Sequence, residues 1–226
     1  MKNFTGTFTI VFLCLAAASS DSVYAGKYKI QVSASQPDAK IYVDGRHVGN
    51  GQADVVVLKN SCVIVTVSKV GYLGQQVTYC NKKNYSKPPK TDFFQLKQDD
   101  AYIASLQTDI ANVDISVKTN QDELKSWRLL SQIITSYFDV IEVTDRETGY
   151  LRTSWVIQSF TQNTIRTRII VKLGASNPLM YKVKIISEQS GKANTSVKKD
   201  EQFREWDRIL RKYSGLINEI QSRLAS

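Results

Sequence analysis

Histidine occurs once in this 226-residue chain, at position 47, and cysteine only three times. That scarcity removes several classes of chemistry. A histidine-dependent triad needs an imidazole beside a nucleophile and an orienting acid. His47 follows the Asp44-Gly45 pair without any nucleophile-elbow motif and reads as an exposed turn residue. No CxxC pair or cysteine-histidine cluster offers the ligand spacing of a zinc site. The glycines are scattered, without a phosphate-cradling loop or a dinucleotide fingerprint, so no ATP, NAD or metal cofactor is expected. Internal repeats and low-complexity tracts are missing as well. Carboxylates are present, but Asp99-Asp100 and Asp145/Glu147 fall in a connector and a turn, whereas a glycosidase needs two separated acids facing one pocket.

The apolar stretch from Phe8 to Ala18 is too short to cross a bilayer as a helix. Lys2 precedes it, and polar Ser19 to Ser22 and then Val23-Tyr24-Ala25 follow. This is the layout of a secretory signal, residues 1–25, cut between Ala25 and Gly26. The expectation is an exported protein of the periplasm or cell surface. Cys14 stands where bacterial lipidation would attach a membrane anchor, but Leu13 replaces the small residue of the usual lipobox, which favours the later cut. Cys62 and Cys80 then remain, in adjacent apolar runs that a hairpin could bring opposite one another. A disulfide and a pair of buried thiols both fit that pattern.

The formal net charge is +9, and Lys2 and Asp21 cancel, so loss of the signal leaves it unchanged. An exported basic chain meets anionic headgroups, acidic glycans or acidic protein faces, whereas nucleic acid is not expected as a partner. Mere solubility would account for the same charge.

Residues 26–98 read as short strands between turns. Tyr28, Ile30 and Val32 alternate with polar neighbours, Ile41-Tyr42-Val43 leads into Asp44-Gly45, and Ala53 to Leu58, Val63 to Val67, Gln75 to Cys80 and Thr91 to Lys97 follow at near-regular spacing. Lys82, Lys83, Lys87 and Lys90 with Pro88-Pro89 form an exposed connector or a contact for an anionic glycan or lipid. The series Pro37-Asp38-Ala39, Ile41 to Gly45, Gly49 and Gly71-Tyr72 resembles the PEGA domain, a small β-sandwich of bacterial envelope proteins. The resemblance covers residues 28–81. It implies an all-β sandwich used for binding or assembly, in which Asp44, Gly45, Gly49, Gly71 and Tyr72 are architectural and the Tyr72 ring packs over the sheet edge.

Residues 99–226 read differently. Ile110 to Val117 alternates as a strand. Asn120 and Glu123 make a capping pair for a helix to Phe138, whose Leu124, Trp127, Leu130, Ile133-Ile134 and Tyr137 share one face. Asp139 to Thr144, Leu151 to Phe160, Thr164 to Leu173 and Leu179 to Ser187 read as four strands. Phe203, Trp206, Ile209-Leu210, Tyr213, Leu216-Ile217 and Ile220 then predict a single helix over 200–224. Tyr137-Phe138-Asp139, Asp145 to Gly149 and the strand through Trp155 resemble the helix-grip domains of BamC, an outer-membrane lipoprotein of the barrel-assembly machinery. That resemblance implies an α+β scaffold for protein contacts, an antiparallel sheet with two helices on one face.

Alternation then sorts the sheet's faces. With Leu151, Thr153, Trp155 and Ile157 turned toward the helices, Arg152 points away. By the same rule Arg166, Arg168 and Lys172 point outward on the next strand and Lys182 and Lys184 on the one after. Val156, Ile170 and Ile186 share that outer face, and aromatic side chains are absent from it. The six cations are the candidate contacts for an acidic protein or glycan, set against an ordinary solvated sheet face. The leading expectation is a non-enzymatic envelope scaffold acting through this surface. The alternatives are a glycan-binding module acting through residues 26–98 and an envelope hydrolase built on an acid such as Glu142 or Glu147.

Overall fold

A computed structural model describes residues 26–225. The expectations for residues 1–25, a signal with a cut after Ala25 and lipidation at Cys14, fall outside the described residues, as does Ser226. The fold is β-rich with few helices.

The chain first forms β1 (Tyr28–Ala34), β2 (Lys40–Val43), β3 (Arg46–Asn50), β4 (Gln52–Val57), β5 (Cys62–Ser68), β6 (Gln75–Cys80) and β7 (Thr91–Phe94). Strands β4-β1-β7 make a three-stranded sheet and β3-β2-β5-β6 a four-stranded one. Period-two alternation directs Ile30, Val32, Val55, Val57 and Phe94 of the first and Ile41, Val65, Val67 and Tyr79 of the second into one shared core. Asp44 and Gly45 are the two-residue loop between β2 and β3, with φ of 48° and 81°, the primed-turn geometry that matches strand twist. Asp44 also anchors the loop to β5: its Oδ1 accepts the Ile64 backbone N–H at 2.8 Å. His47 therefore stands on β3 and not in the turn, exposed, with Nε2 3.0 Å from Asn50 Oδ1. Cys62 and Cys80 sit directly opposite on β5 and β6 and are joined by a disulfide. Tyr72 packs against the edge of this core, with Lys69 Nζ 5.0 Å from its ring centre.

The chain continues through α1 (Asp100–Ile103), β8 (Ser105–Gln107), β9 (Ile115–Lys118), α2 (Glu123–Tyr137), β10 (Ile141–Asp145), β11 (Tyr150–Thr153), β12 (Val156–Ser159), β13 (Thr164–Ser176), β14 (Leu179–Gln189), β15 (Arg204–Glu205), β16 (Arg208–Leu210) and α3 (Leu216–Ala225). A seven-stranded sheet runs β10-β11-β13-β14-β15, with β12 also on β13 and β9 also on β14. Helices α2 and α3 supply Trp127, Leu130, Ile133, Ile134, Leu216, Ile217, Ile220 and Leu224 to a second core. Leu151, Ile169, Val171, Tyr181, Val183 and Ile185 meet them from one face of the sheet.

Three expectations are corrected here. The α2 cap is Asp122, whose Oδ1 accepts the Lys125 N–H at 2.9 Å, not Asn120. The strand expected over 110–117 is reduced to β9. Asn112, at φ 61°, leaves the ladder, and its side chain bonds the Ser187 backbone and the Trp206 carbonyl. The helix expected over 200–224 survives only as α3. Arg208, Ile209 and Leu210 are all buried, which one helical stripe does not allow, and they pair in extended form with β8. The two cores meet where the Asp99 N–H donates to the Gly71 carbonyl at 2.9 Å and the Leu73 N–H to that of Lys97 at 2.8 Å. Gly71, at φ 80°, leaves room there for the Tyr102 ring, which a Cβ would approach to 3.3 Å. Among the described residues no helix is long and apolar enough to cross a membrane.

Candidate functional site

The sheet face turned away from α2 and α3 collects the cations singled out by alternation. Its layout follows from register. Lys172 lies opposite Lys182, Ile170 opposite Lys184, Arg168 opposite Ile186 and Arg166 opposite Glu188, while Arg152 of β11 lies opposite Ile170. Like charges placed side by side repel, and acidic neighbours relieve part of that. Arg152 Nε donates to Glu142 Oε2 at 3.1 Å, and Lys184 Nζ reaches Asp114 Oδ1 at 3.3 Å. The side chains of Lys172 and Lys182 are exposed and make no hydrogen bond or ion pair with the described residues.

Arg166 does not belong to the accessible set. It is 4% exposed. Its guanidinium is bound by Glu188 at 2.6 Å, by Asp200 and by the Val197 carbonyl, and it stacks on Trp155 and Phe203 with ring-centre distances of 4.2 and 4.1 Å. The chain between β14 and β15 folds over this end of the face and makes Arg166 a buried strut.

A one-residue irregularity between β11 and β12 changes the other expectation. Arg152 pairs with Ile170, but Val156 pairs with Thr167, so β11 and β12 together carry one residue more than β13 across Thr153 to Trp155. Such a bulge reverses the facing of everything after it. Val156 consequently packs on the core, Ile157 is exposed, and Trp155 lies on the outer face. The Thr153 hydroxyl accepts the Ile169 N–H at 3.1 Å, supplying an acceptor to β13 beside the bulge. Trp155-Val156-Ile157, three apolar residues in a row, was the signal in the sequence that strict alternation fails here.

Trp155 therefore underlies the face as an aromatic platform, and Arg168 lies on it with Cζ 4.1 Å from the ring centre. Arg168 is half-buried, its Nε has no hydrogen-bond partner, and it makes no ion pair with the described residues. Burial, and next the charge of Arg152, push its guanidinium below the ordinary arginine pKa. The centre of the face thus holds a cation whose Nε–H is unpartnered, with Ile186 across from it and Ile170 two residues along, and Lys172 and Lys182 beyond.

The acids considered for hydrolysis are placed otherwise. Glu142 is paired with Arg152, and Glu147 sits in an exposed turn where Asp145 Oδ1 accepts the N–H groups of residues 147 and 148. The Thr148 hydroxyl and these N–H groups hold the Asp145 carboxyl below the usual range. Surface hollows occur on the smaller sheets. One of about 510 Å³ is lined by Tyr28, Lys29, Gln31, Asp54 and Lys90, and another of about 570 Å³ by Val48, Val56, Leu58 and Val63. Lys82, Lys83 and Lys87 stand exposed near Tyr85. No protein-family model matches the chain, and comparison with curated proteins finds no match.

Proposed function

We propose that this protein is an exported, non-enzymatic scaffold of the cell envelope that docks an acidic, partly apolar segment of another envelope protein on the outer face of its larger sheet. The PEGA-like sandwich of residues 26–98 serves in this reading as a spacer, and residues 99–226, the helix-grip-like domain, as the contact module. The observation that carries the reading is the composition of that face. Exposed Lys172 and Lys182 share the face with Arg168 and Lys184, with Ile170 and Ile186 among them and Ile157 opposite Arg166. Basic charge alone would suit lipid or glycan equally, but interleaved isoleucines favour a protein surface that brings its own apolar side chains. The test is mild crosslinking in the native envelope followed by purification. A defined acidic protein should copurify with the wild type and be lost from a Lys172→Glu/Lys182→Glu variant that keeps its unfolding midpoint; retention of the same protein would refute the reading.

A second reading is favoured by the hollow over Tyr28, Lys29, Gln31, Asp54 and Lys90 and by Phe93, 59% exposed on β7 of the same sheet. An exposed aromatic ring on the same sheet as these polar and cationic groups suits an anionic cell-wall glycan. Cell-wall polymer binding that survives the lysine reversal but is lost with Phe93→Ala would select it.

A further inference from the structure

The cations of the outer face are not equivalent. Arg152, Arg166 and Lys184 each have a carboxylate partner. Arg168, in the middle of β13, has none among the described residues, although it is less accessible than the exposed Lys172 and Lys182. Its Nε–H is buried without an acceptor, which is costly because the hydration lost there is replaced only by contact with the Trp155 ring. The indole of Trp155 holds it in place, and Trp155 is itself fixed by Arg166 on the covered end of the face. Interfaces concentrate their binding energy in such central arginine and tryptophan residues, ringed by apolar contacts that exclude water. Here Ile186 lies directly across from Arg168 and Ile170 two residues along.

We infer that Arg168, presented on Trp155, is the anchor that binds a carboxylate of the partner segment, an aspartate or glutamate side chain flanked by apolar residues. The inference rests on the docking role proposed above. The planar guanidinium fork matches a carboxylate in a way that a lysine ammonium does not, and an arriving carboxylate would displace the residual water over Ile170 and Ile186. The lysines attract the segment, and Arg168 fixes its register.

The full chain, labelled with nitrogen-15, provides the test by following arginine side-chain N–H resonances during titration. The probes are an alternating glutamate-valine peptide, its glutamine-valine counterpart and inorganic phosphate at equal concentrations. The glutamate peptide should shift the Arg168 Nε–H resonance, and the glutamine peptide should leave it unmoved. Arg168→Lys, which keeps the charge, should weaken binding of the glutamate peptide about tenfold or more, as loss of a charge-assisted bond requires. Should the lysine variant not fold, the wild-type resonance still decides the matter. Glutamate-peptide binding that Lys172→Glu/Lys182→Glu abolishes, but that in the wild type leaves the Arg168 resonance unmoved and is not weakened by Arg168→Lys, would overturn the anchor but keep the docking face. Phosphate shifting Arg168 as strongly as the peptide would overturn the assignment to a protein carboxylate. Failure of the copurification test, with the Arg168 shift present, would instead remove the docking role.

Discussion

Replacing Arg166 by methionine removes a guanidinium that binds Glu188, Asp200 and the Val197 carbonyl at once, and it strands Glu188, 20% exposed, without its partner. Breaking a buried pair from one side costs about 3–5 kcal/mol, so Arg166→Met should lower urea stability by roughly that much. A loss below about 1 kcal/mol would show that the network supports little. Arg166 thus belongs to stability even though its place in the sequence is indistinguishable from that of Arg168 or Lys172. Alternation identified which side of the sheet each cation occupies, because side-chain facing has period two. It could not tell that the chain after β14 returns to cover one end of that side. The difference between Arg166 at 4% exposure and the open Lys172 is a tertiary fact, set by Phe203 and Asp200, 37 and 34 residues away.

At the scale of elements, the hairpins and α2 were legible because each satisfies its own local rule. Asp44-Gly45 supplies positive φ, and Trp127, Leu130, Ile133 and Ile134 recur at helical spacing. Strand β3 was not, since Arg46–Asn50 is exposed on nearly every residue and carries no alternation. Residues 200–215 misled in the opposite sense, for their apolar spacing is helical while pairing of β16 with β8 sets the backbone. The two main helices are also tied to one another by a titratable contact. Tyr137 donates to Glu219 Oε2 at 2.9 Å, and Arg223 holds the other oxygen at 3.0 Å. These bonds, Tyr137 first, lower the Glu219 pKa, and the same contact raises that of Tyr137. A carboxyl depressed in the folded state contributes stability above its unfolded pKa and loses it as pH falls through the lower folded value. Tyr137→Phe should therefore raise the Glu219 pKa toward its ordinary value and shrink that acid-side contribution, as a carbon-13 carboxyl titration would read. An unmoved Glu219 titration would assign the shift to Arg223 alone.

For the whole molecule, the buried apolar side chains gather into two clusters, one between the two smaller sheets and one between the larger sheet and helices α2 and α3. The outer face of the larger sheet was visible as a set of charges but not as a surface with a centre. That centre exists only because the extra residue between Arg152 and Val156 turns Trp155 outward beneath Arg168. The apolar run Trp155-Val156-Ile157 signals that alternation fails, but only pairing in the sheet decides which of the three turns outward. The proposed role requires this face to be occupied by a protein in the envelope. The direct measurement is a photo-crosslinking amino acid placed in turn at Ile170 and at Val56, an exposed position on the smaller sheet, in cells making the full chain. One acidic envelope protein should crosslink from position 170, not from position 56, and disappear with Lys172→Glu/Lys182→Glu. Crosslinks from position 56 alone, or from position 170 to lipid or glycan only, would contradict it.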